Sequence, residues 1–297
     1  MKCSICPRRC GAQRDEMAGD GYCRQGTLPR IARAGLHFWE EPCISGEKGS
    51  GAVFFSGCTL DCVYCQNDSI SHGGVGQAVS EERLGEIFRG LIAQGAQNIN
   101  LVSPTPFVPA IKRVLEREKF QVPVVYNCSG YETVETVRAL DGLVDIYLPD
   151  LKYISPALSG RYSGAEDYFE AASRAVLEMC RQTGLPVYDE EGRMLSGTLV
   201  RHLILPSHAE ESKAVLRWCG ENLPEGTPVS VMAQYLPCGR AAEFPELNRR
   251  IAKSEYNAVL DELFSLGLDG YVQERSAAKK EYIPPFDLSG VERKQGL

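Results

Sequence analysis

From residue 51 onward the chain alternates short runs of β-branched and aromatic residues with longer amphipathic stretches. Residues 51–55 (Gly-Ala-Val-Phe-Phe) read as a first strand, and Ser80-Glu81-Glu82-Arg83 opens a helix over 80–94 with Ser80 as its N-cap. The same pairing of strand and helix recurs at 97–102 with 107–117, and at 122–126 with 132–140. A fourth strand at 144–148 leads into a loop over 150–161 and a helix over 166–182. Residues 198–205 with 210–221, and 229–232 with 254–266, complete six strand–helix units. Strict alternation of this kind predicts a parallel sheet with right-handed crossovers. Periodicity alone does not separate an open doubly wound sheet from a barrel.

The ends of the chain follow a different pattern. Residues 1–48 are a Cys-rich extension followed, over 24–50, by a linker holding Pro29 and Pro42; 49–275 form the α/β core; 276–297 form a tail. Pro284 and Pro285 keep that tail extended, and it is expected to close over the core.

Composition narrows the class. With 43% hydrophobic residues the chain can bury a sizeable core, and 32 basic against 39 acidic residues give a net charge of −7, which argues against a nucleic-acid or anionic-membrane surface. No run of eighteen apolar residues occurs and the start lacks an apolar signal core, so a cytoplasmic protein is expected. Eight of the twelve cysteines lie in the first 65 residues at metal-ligand spacings, which favours metals in a reducing compartment over disulfides.

Two thiol groups carry the candidate chemistry. Cys58, Cys62 and Cys65 stand at C-x3-C-x2-C directly after the first strand, where α/β folds place their chemistry. A 4Fe-4S cluster takes four thiolates, so a loop offering three leaves one iron open to a bound substrate or cofactor. Upstream, Cys3, Cys6, Cys10 and Cys23 offer four thiols in a segment poor in apolar residues, which a metal would order. Zinc and a second iron–sulfur cluster fit those ligands equally. His37, Cys43, His202 and Cys238 stand alone among apolar neighbours and read as packed residues.

The motif C-x3-C-x-aromatic-C, with Tyr64 before the last Cys, resembles the signature of radical S-adenosylmethionine (SAM) enzymes. The resemblance implies a partial (β/α)6 TIM-like barrel in which Cys58, Cys62 and Cys65 hold a 4Fe-4S cluster and SAM chelates the fourth iron. Gly49-Ser50-Gly51 with the Phe-rich strand and Gly57-Cys58 is similar to the pyruvate formate-lyase activating enzyme-like, or PflX-type, branch. By that likeness Ser103 and Thr105, standing where a Gly-Gly-Glu stretch is common, receive the SAM amino group, although Pro104 between them has no N–H. Asn127, at the end of the third strand, and Tyr64 are expected among the cofactor-binding residues with them. Asp150 of Asp150-Leu151-Lys152 would organise a monovalent cation, Arg201 would meet the SAM carboxylate or ribose side, and Gln234 with Tyr235 would hold adenine.

The implied activity is reductive cleavage of SAM to methionine and a 5′-deoxyadenosyl radical that abstracts hydrogen. Its electron would come from a flavodoxin- or ferredoxin-type reductant. The substrate is a glycyl radical enzyme, as for an activase, or else another protein, a peptide or a small molecule. The rival from another class is a non-catalytic iron–sulfur or zinc protein for sensing or electron transfer.

Overall fold

A computed structural model describes residues 2–273 and 283–292. Each expected strand–helix unit forms. In chain order the elements are β1 (Arg30–His37), α1 (Pro42–Ser45), β2 (Ser50–Phe55), α2 (Asp68–Ser71), β3 (Gln77–Ala78), α3 (Glu81–Ala93), β4 (Ile99–Val102), α4 (Val108–Arg117), β5 (Val124–Cys128) and α5 (Val134–Arg138). They continue as β6 (Ile146–Pro149), α6 (Pro156–Ser163), α7 (Tyr168–Thr183), β7 (Val187–Tyr188), β8 (Met194–Thr198), β9 (Val200–Leu203), α8 (Ala209–Asn222), β10 (Val229–Met232), α9 (Lys253–Ser265) and β11 (Gly270–Val272). Ser80 caps α3 as expected, its hydroxyl accepting from the Arg83 N–H at 3.2 Å.

The main sheet has the order β3-β1-β2-β4-β5-β6-β8-β7, and a second sheet the order β11-β10-β9. From β2 to β6 neighbours are parallel, and β2, β4, β5, β6 and β10 are buried along their whole lengths. Strands covered on both faces carry continuous apolar runs, which is why they were legible in the sequence. The fifth expected strand breaks at Leu199: β8 pairs with β6, and β9 pairs with β10. An Asp150–Arg201 bridge, with the Leu151 N–H donating to the Arg201 carbonyl at 2.8 Å, carries β6 across to β9. The parallel array thus turns from one sheet into the next. No pairing closes it into a ring among the described residues, so the barrel is partial.

Three segments differ from the sequence expectation or refine it. The 24–50 stretch expected as a linker carries β1, which pairs antiparallel with β2 from Ile31↔Phe55 to His37↔Ser50. Its Ala- and Gly-rich sequence has poor strand propensity, and pairing with the Phe-rich β2 overrides that. The 150–161 stretch expected as a loop carries the start of α6: the Ser155 hydroxyl accepts from the Leu158 N–H and Pro156 fills the first helical position. The tail runs back along β1, with the Leu288 N–H on the Ala32 carbonyl and the Ala34 N–H on the Ser289 carbonyl, while Phe286 packs edge-on to Phe54. Glu281 and Tyr282 lie outside the described residues.

The Cys-rich start is folded by turns. The Cys3 N–H donates to the Ala12 carbonyl and the Gly11 N–H to that of Cys3, with short bridges at Arg14↔Gly19 and Ala18↔Gln25. It docks on the core where Thr133 at the head of α5 donates to the Ile5 carbonyl. Among the described residues no helix is long and apolar enough to cross a membrane.

Candidate cofactor site

The carboxyl ends of the parallel strands surround a cavity of about 230 Å3. Its wall includes Cys58, Cys62, Tyr64 and Cys65 from the loop after β2, Ser103 after β4, Asn127 of β5, Asp150 and Lys152 after β6, Arg201 of β9 and Gln234 after β10. Trp39 and Glu40, between β1 and α1, and Ile283 and Pro284 of the tail complete it. The tail expected to close over the core does border this opening.

The cysteine loop is held on both sides. Gly57 enters it at φ +85°, and a Cβ there would stand 2.4 Å from the Gln25 side chain, so glycine is required. The Asp61 and Val63 N–H groups donate to the Ser163 and Tyr162 carbonyls of α6. The Cys62 sulfur meets the Ser163 hydroxyl at 3.0 Å, the Cys65 sulfur meets that of Ser71 at 3.5 Å, and the Leu60 N–H donates to the Cys58 sulfur at 3.4 Å. Ser163 also joins Tyr153, whose hydroxyl meets that of Tyr64 at 2.5 Å, so a buried hydrogen-bond chain runs from Tyr64 to Cys62.

Burial pushes the Cys58 thiol up to about 12, with the neighbouring Cys62 adding to it. Burial also raises Cys65 and Cys62, though Lys152 and Ser163 pull Cys62 back. Burial thus opposes the thiolate form of all three sulfurs, and a cationic iron centre would favour it. Among the described residues no three His, Cys, Asp or Glu side chains are converged as metal ligands, since each thiol here is turned to a protein partner. Three thiols on one wall, bordered by an ammonium, nonetheless match the donor chemistry of a cluster with one open iron.

The same cavity is lined by a polar network with low exposure. Arg201 donates from Nε to Asp150 Oδ1 at 2.9 Å, from Nη1 to Glu40 Oε1 at 2.8 Å and from Nη2 to Asn127 Oδ1 at 2.7 Å. Glu40 Oε2 also accepts from Asn100 and Asn127, and Lys152 donates to Asp150 Oδ2. Burial pushes the Asp150 carboxyl up, but Arg201 and Lys152 together bring it below its ordinary value. Arg201 therefore meets two carboxylates of the chain itself, where the sequence reading gave it the SAM carboxylate. Asp150, expected to hold a monovalent cation, already has two protein cations. Ser103 adopts φ +58°, a strained value for a non-glycine residue, and its N–H is taken by the Asn127 carbonyl.

Two expected cofactor residues are turned elsewhere. Thr105 donates to the buried Glu132 at 2.5 Å, and the Tyr235 hydroxyl donates to the Leu247 carbonyl while its ring packs on Tyr64. Neither lines the cavity, since each hydroxyl is engaged by a buried acceptor instead. His202 is packed, as read from the sequence: its ring lies between the Leu151 carbonyl and the Ser212 hydroxyl, and burial lowers it to about 4.

Glu40 and Lys152 are the residues that sequence reasoning missed. The signal for Glu40 was an acidic pair, Glu40-Glu41, inside an otherwise apolar approach to Pro42; Lys152 stood in a motif noticed only for its Asp.

In the Cys-rich start, Cys3, Cys6 and Cys23 are half-buried and Cys10 is exposed. Burial pushes Cys6 up to about 12, with the charges of Cys23 and Cys3 adding, and Cys23 in turn feels Cys3 and Cys10. A Cβ on Gly21 would stand 2.8 Å from the Cys10 sulfur, so glycine there leaves that thiol room to turn inward. Cys23 is thus within electrostatic reach of the other three; the four sulfurs do not converge on one point as they stand, but they supply the donor set of a zinc or iron–sulfur site.

The family model of the Radical SAM superfamily matches residues 52–219, more than half of the chain. An uncharacterized protein, MJ0674 of Methanocaldococcus jannaschii, is 29% identical over 277 residues, covering 90% of this chain and 75% of the relative. Among solved structures, histidine-tagged anSMEcpe with bound AdoMet matches with a TM-score of 0.50 and 13% identity, over 73% of this chain and 58% of that one, a likeness of fold. SuiB of Streptococcus suis bound to its precursor peptide SuiA matches with a TM-score of 0.49 and 11% identity, over 73% of this chain; the chain spans 47% of that protein's length.

Proposed function

The chain belongs to the radical SAM superfamily, and from that membership, which implies a 4Fe-4S cluster and SAM, we propose that it is an enzyme acting on a peptide or small-molecule substrate. The observation that carries the reading is the cavity itself, which Cys58, Cys62 and Cys65 share with the Glu40–Arg201–Asp150–Lys152 network. When bound, the cluster and SAM supply reductive cleavage of the sulfonium to methionine and a 5′-deoxyadenosyl radical, with a flavodoxin- or ferredoxin-type protein as electron donor.

The chain's own residues do the rest. The three thiolates are the cluster ligands. Ser163 and Lys152 stabilise negative charge on Cys62, and Arg201 holds the side chains of Glu40 and Asp150 in place on the cavity wall. Ser103, Asn127 and Gln234 offer hydroxyl and amide groups to the nucleoside, and Trp39 with Ile283 and Pro284 excludes water from the mouth. The four upstream thiols Cys3, Cys6, Cys10 and Cys23 hold a second metal, zinc or an iron–sulfur cluster.

A glycyl-radical activase of PflX type is the finer alternative, drawn from the likeness of the 49–58 stretch and of the Asp150-Leu151-Lys152 run. The tail bordering the cavity favours the smaller substrates, because an activase must admit a loop of a folded partner. The test is anaerobic reconstitution with iron and sulfide, addition of SAM and dithionite, and chromatography for 5′-deoxyadenosine. Product from the wild type, abolished by Cys62→Ala, is expected. An intact cluster that yields none would overturn the enzymatic reading and favour a sensing or electron-transfer protein.

A further inference from the structure

Arg8 links the two thiol groups directly. Arg8 lies in the turn Cys6-Pro7-Arg8-Arg9-Cys10, between two of the upstream thiols. Its Nε donates to the Thr59 carbonyl at 2.9 Å, inside the loop that bears Cys58, Cys62 and Cys65. Its Nη1 donates to the Gly164 carbonyl at 2.6 Å, one residue beyond the Ser163 whose hydroxyl meets the Cys62 sulfur. The guanidinium is stacked on Tyr22, 3.9 Å from the ring centroid, and stands 5.3 Å from that of Tyr131.

Tyr22 immediately precedes Cys23, so the second arm of the four-thiol segment also reaches the loop. The Tyr22 hydroxyl would lie 3.1 Å from a Cβ on Gly164, which caps α6 at φ +64°. Tyr22 feels the charges of Cys58 and Cys62 as well as that of Arg8. The turn bearing Arg8 contains almost no apolar residue, so its anchorage to the core comes from the neighbouring Ile5 and from the contacts of Arg8 itself.

We propose that the four-thiol segment is a metal-held brace for the cluster loop, with Arg8 as the positioning residue that transmits the hold. A thiophilic metal on Cys3, Cys6, Cys10 and Cys23 fixes the backbone on both sides of Arg8. Arg8 then fixes Thr59 and Gly164, and through them the spacing of the Cys58–Cys65 loop from α6. The inference rests on the second metal of the proposed function, but not on any particular reaction.

The experiment uses the full-length protein, reconstituted anaerobically, and follows the decay of the SAM-responsive electron paramagnetic resonance signal in excess iron chelator. Elemental analysis reports the upstream metal separately. Arg8→Ala keeps all seven thiols. It should retain the upstream metal yet lose the SAM-responsive signal about tenfold faster, as expected when two charge-assisted hydrogen bonds are removed. Arg8→Lys, which cannot span both carbonyls, should fall between. Cys6→Ser should lose the upstream metal and show the same acceleration, and the double variant should be no faster than either single one, because both act through one contact. Decay of Arg8→Ala at the wild-type rate, or effects that multiply in the double variant, would overturn the brace. A wild-type protein with no metal beyond the SAM-responsive cluster would remove its premise, while leaving SAM cleavage to be judged on its own assay.

Discussion

Replacing Arg201 with Met keeps the side-chain volume and removes the one cation shared by Glu40 and Asp150. Asp150 retains Lys152, but Glu40 is left with only the amides of Asn100 and Asn127. The side chains involved are 11–15% exposed, so solvent screens little of the loss. Two charge-assisted bonds at about 1.5–3 kcal/mol each, offset by the desolvation no longer suffered by the guanidinium, give a net cost of about 3–5 kcal/mol, typical of a buried pair broken on one side. Urea unfolding followed by circular dichroism under anaerobic conditions measures it. The pH dependence gives the sign: Asp150 is held below its ordinary value in the wild type, so its contribution is present at neutral pH and is lost as pH falls through that depressed value. The deficit of the variant should therefore be largest near neutrality and narrow toward acid. Glu40→Gln added to Arg201→Met should recover part of it. A deficit under about 1 kcal/mol at neutral pH, or one that widens on acidification, would refute the claim that Arg201 is held by charge.

Ser163→Ala removes a hydroxyl from the Cys62 sulfur; loss of a bond worth about 1 kcal/mol should lower the one-electron potential of the cluster by roughly 40 mV, read by redox titration, and an unchanged potential would show that Ser163 does not donate there. Gly57→Ala must place a Cβ against Gln25 at a positive φ, so cluster loading should fall severalfold while the helix content by circular dichroism stays close to wild type; full loading would disprove the steric argument. His202, lowered to about 4 by burial, binds fewer protons folded than unfolded between its ordinary value and about 4, so stability should fall with acidification across that window. His202→Gln should flatten that limb of the stability profile, and an unaltered slope would assign the acid sensitivity elsewhere.

Legibility followed burial. The parallel strands are covered on both faces, and their apolar runs marked them directly, as the Ser80 cap marked α3. β1 escaped notice because its Arg-Ile-Ala-Arg-Ala-Gly pattern acquires strand character only from pairing with β2. Spacing placed Cys58, Cys62 and Cys65 in one loop, and strand ends placed Asn127, Asp150 and Arg201 on one cavity. The partners of those charges were not legible. Glu40 is 161 residues from Arg201, and nothing local in either segment records that they meet. Thr105 and Tyr235 show the converse: each follows a strand that ends at the cavity, while the direction of the side chain was decided by the buried acceptors, the Glu132 carboxylate and the Leu247 carbonyl.

All of this depends on a cluster with one iron left for SAM. Electron paramagnetic resonance of the anaerobically reconstituted, reduced protein before and after adding SAM addresses that most directly. The account predicts a 4Fe-4S signal whose g-values shift on SAM addition and which vanishes in Cys58→Ala, Cys62→Ala and Cys65→Ala. A spectrum indifferent to SAM, or a SAM-responsive one that survives those substitutions, would contradict it.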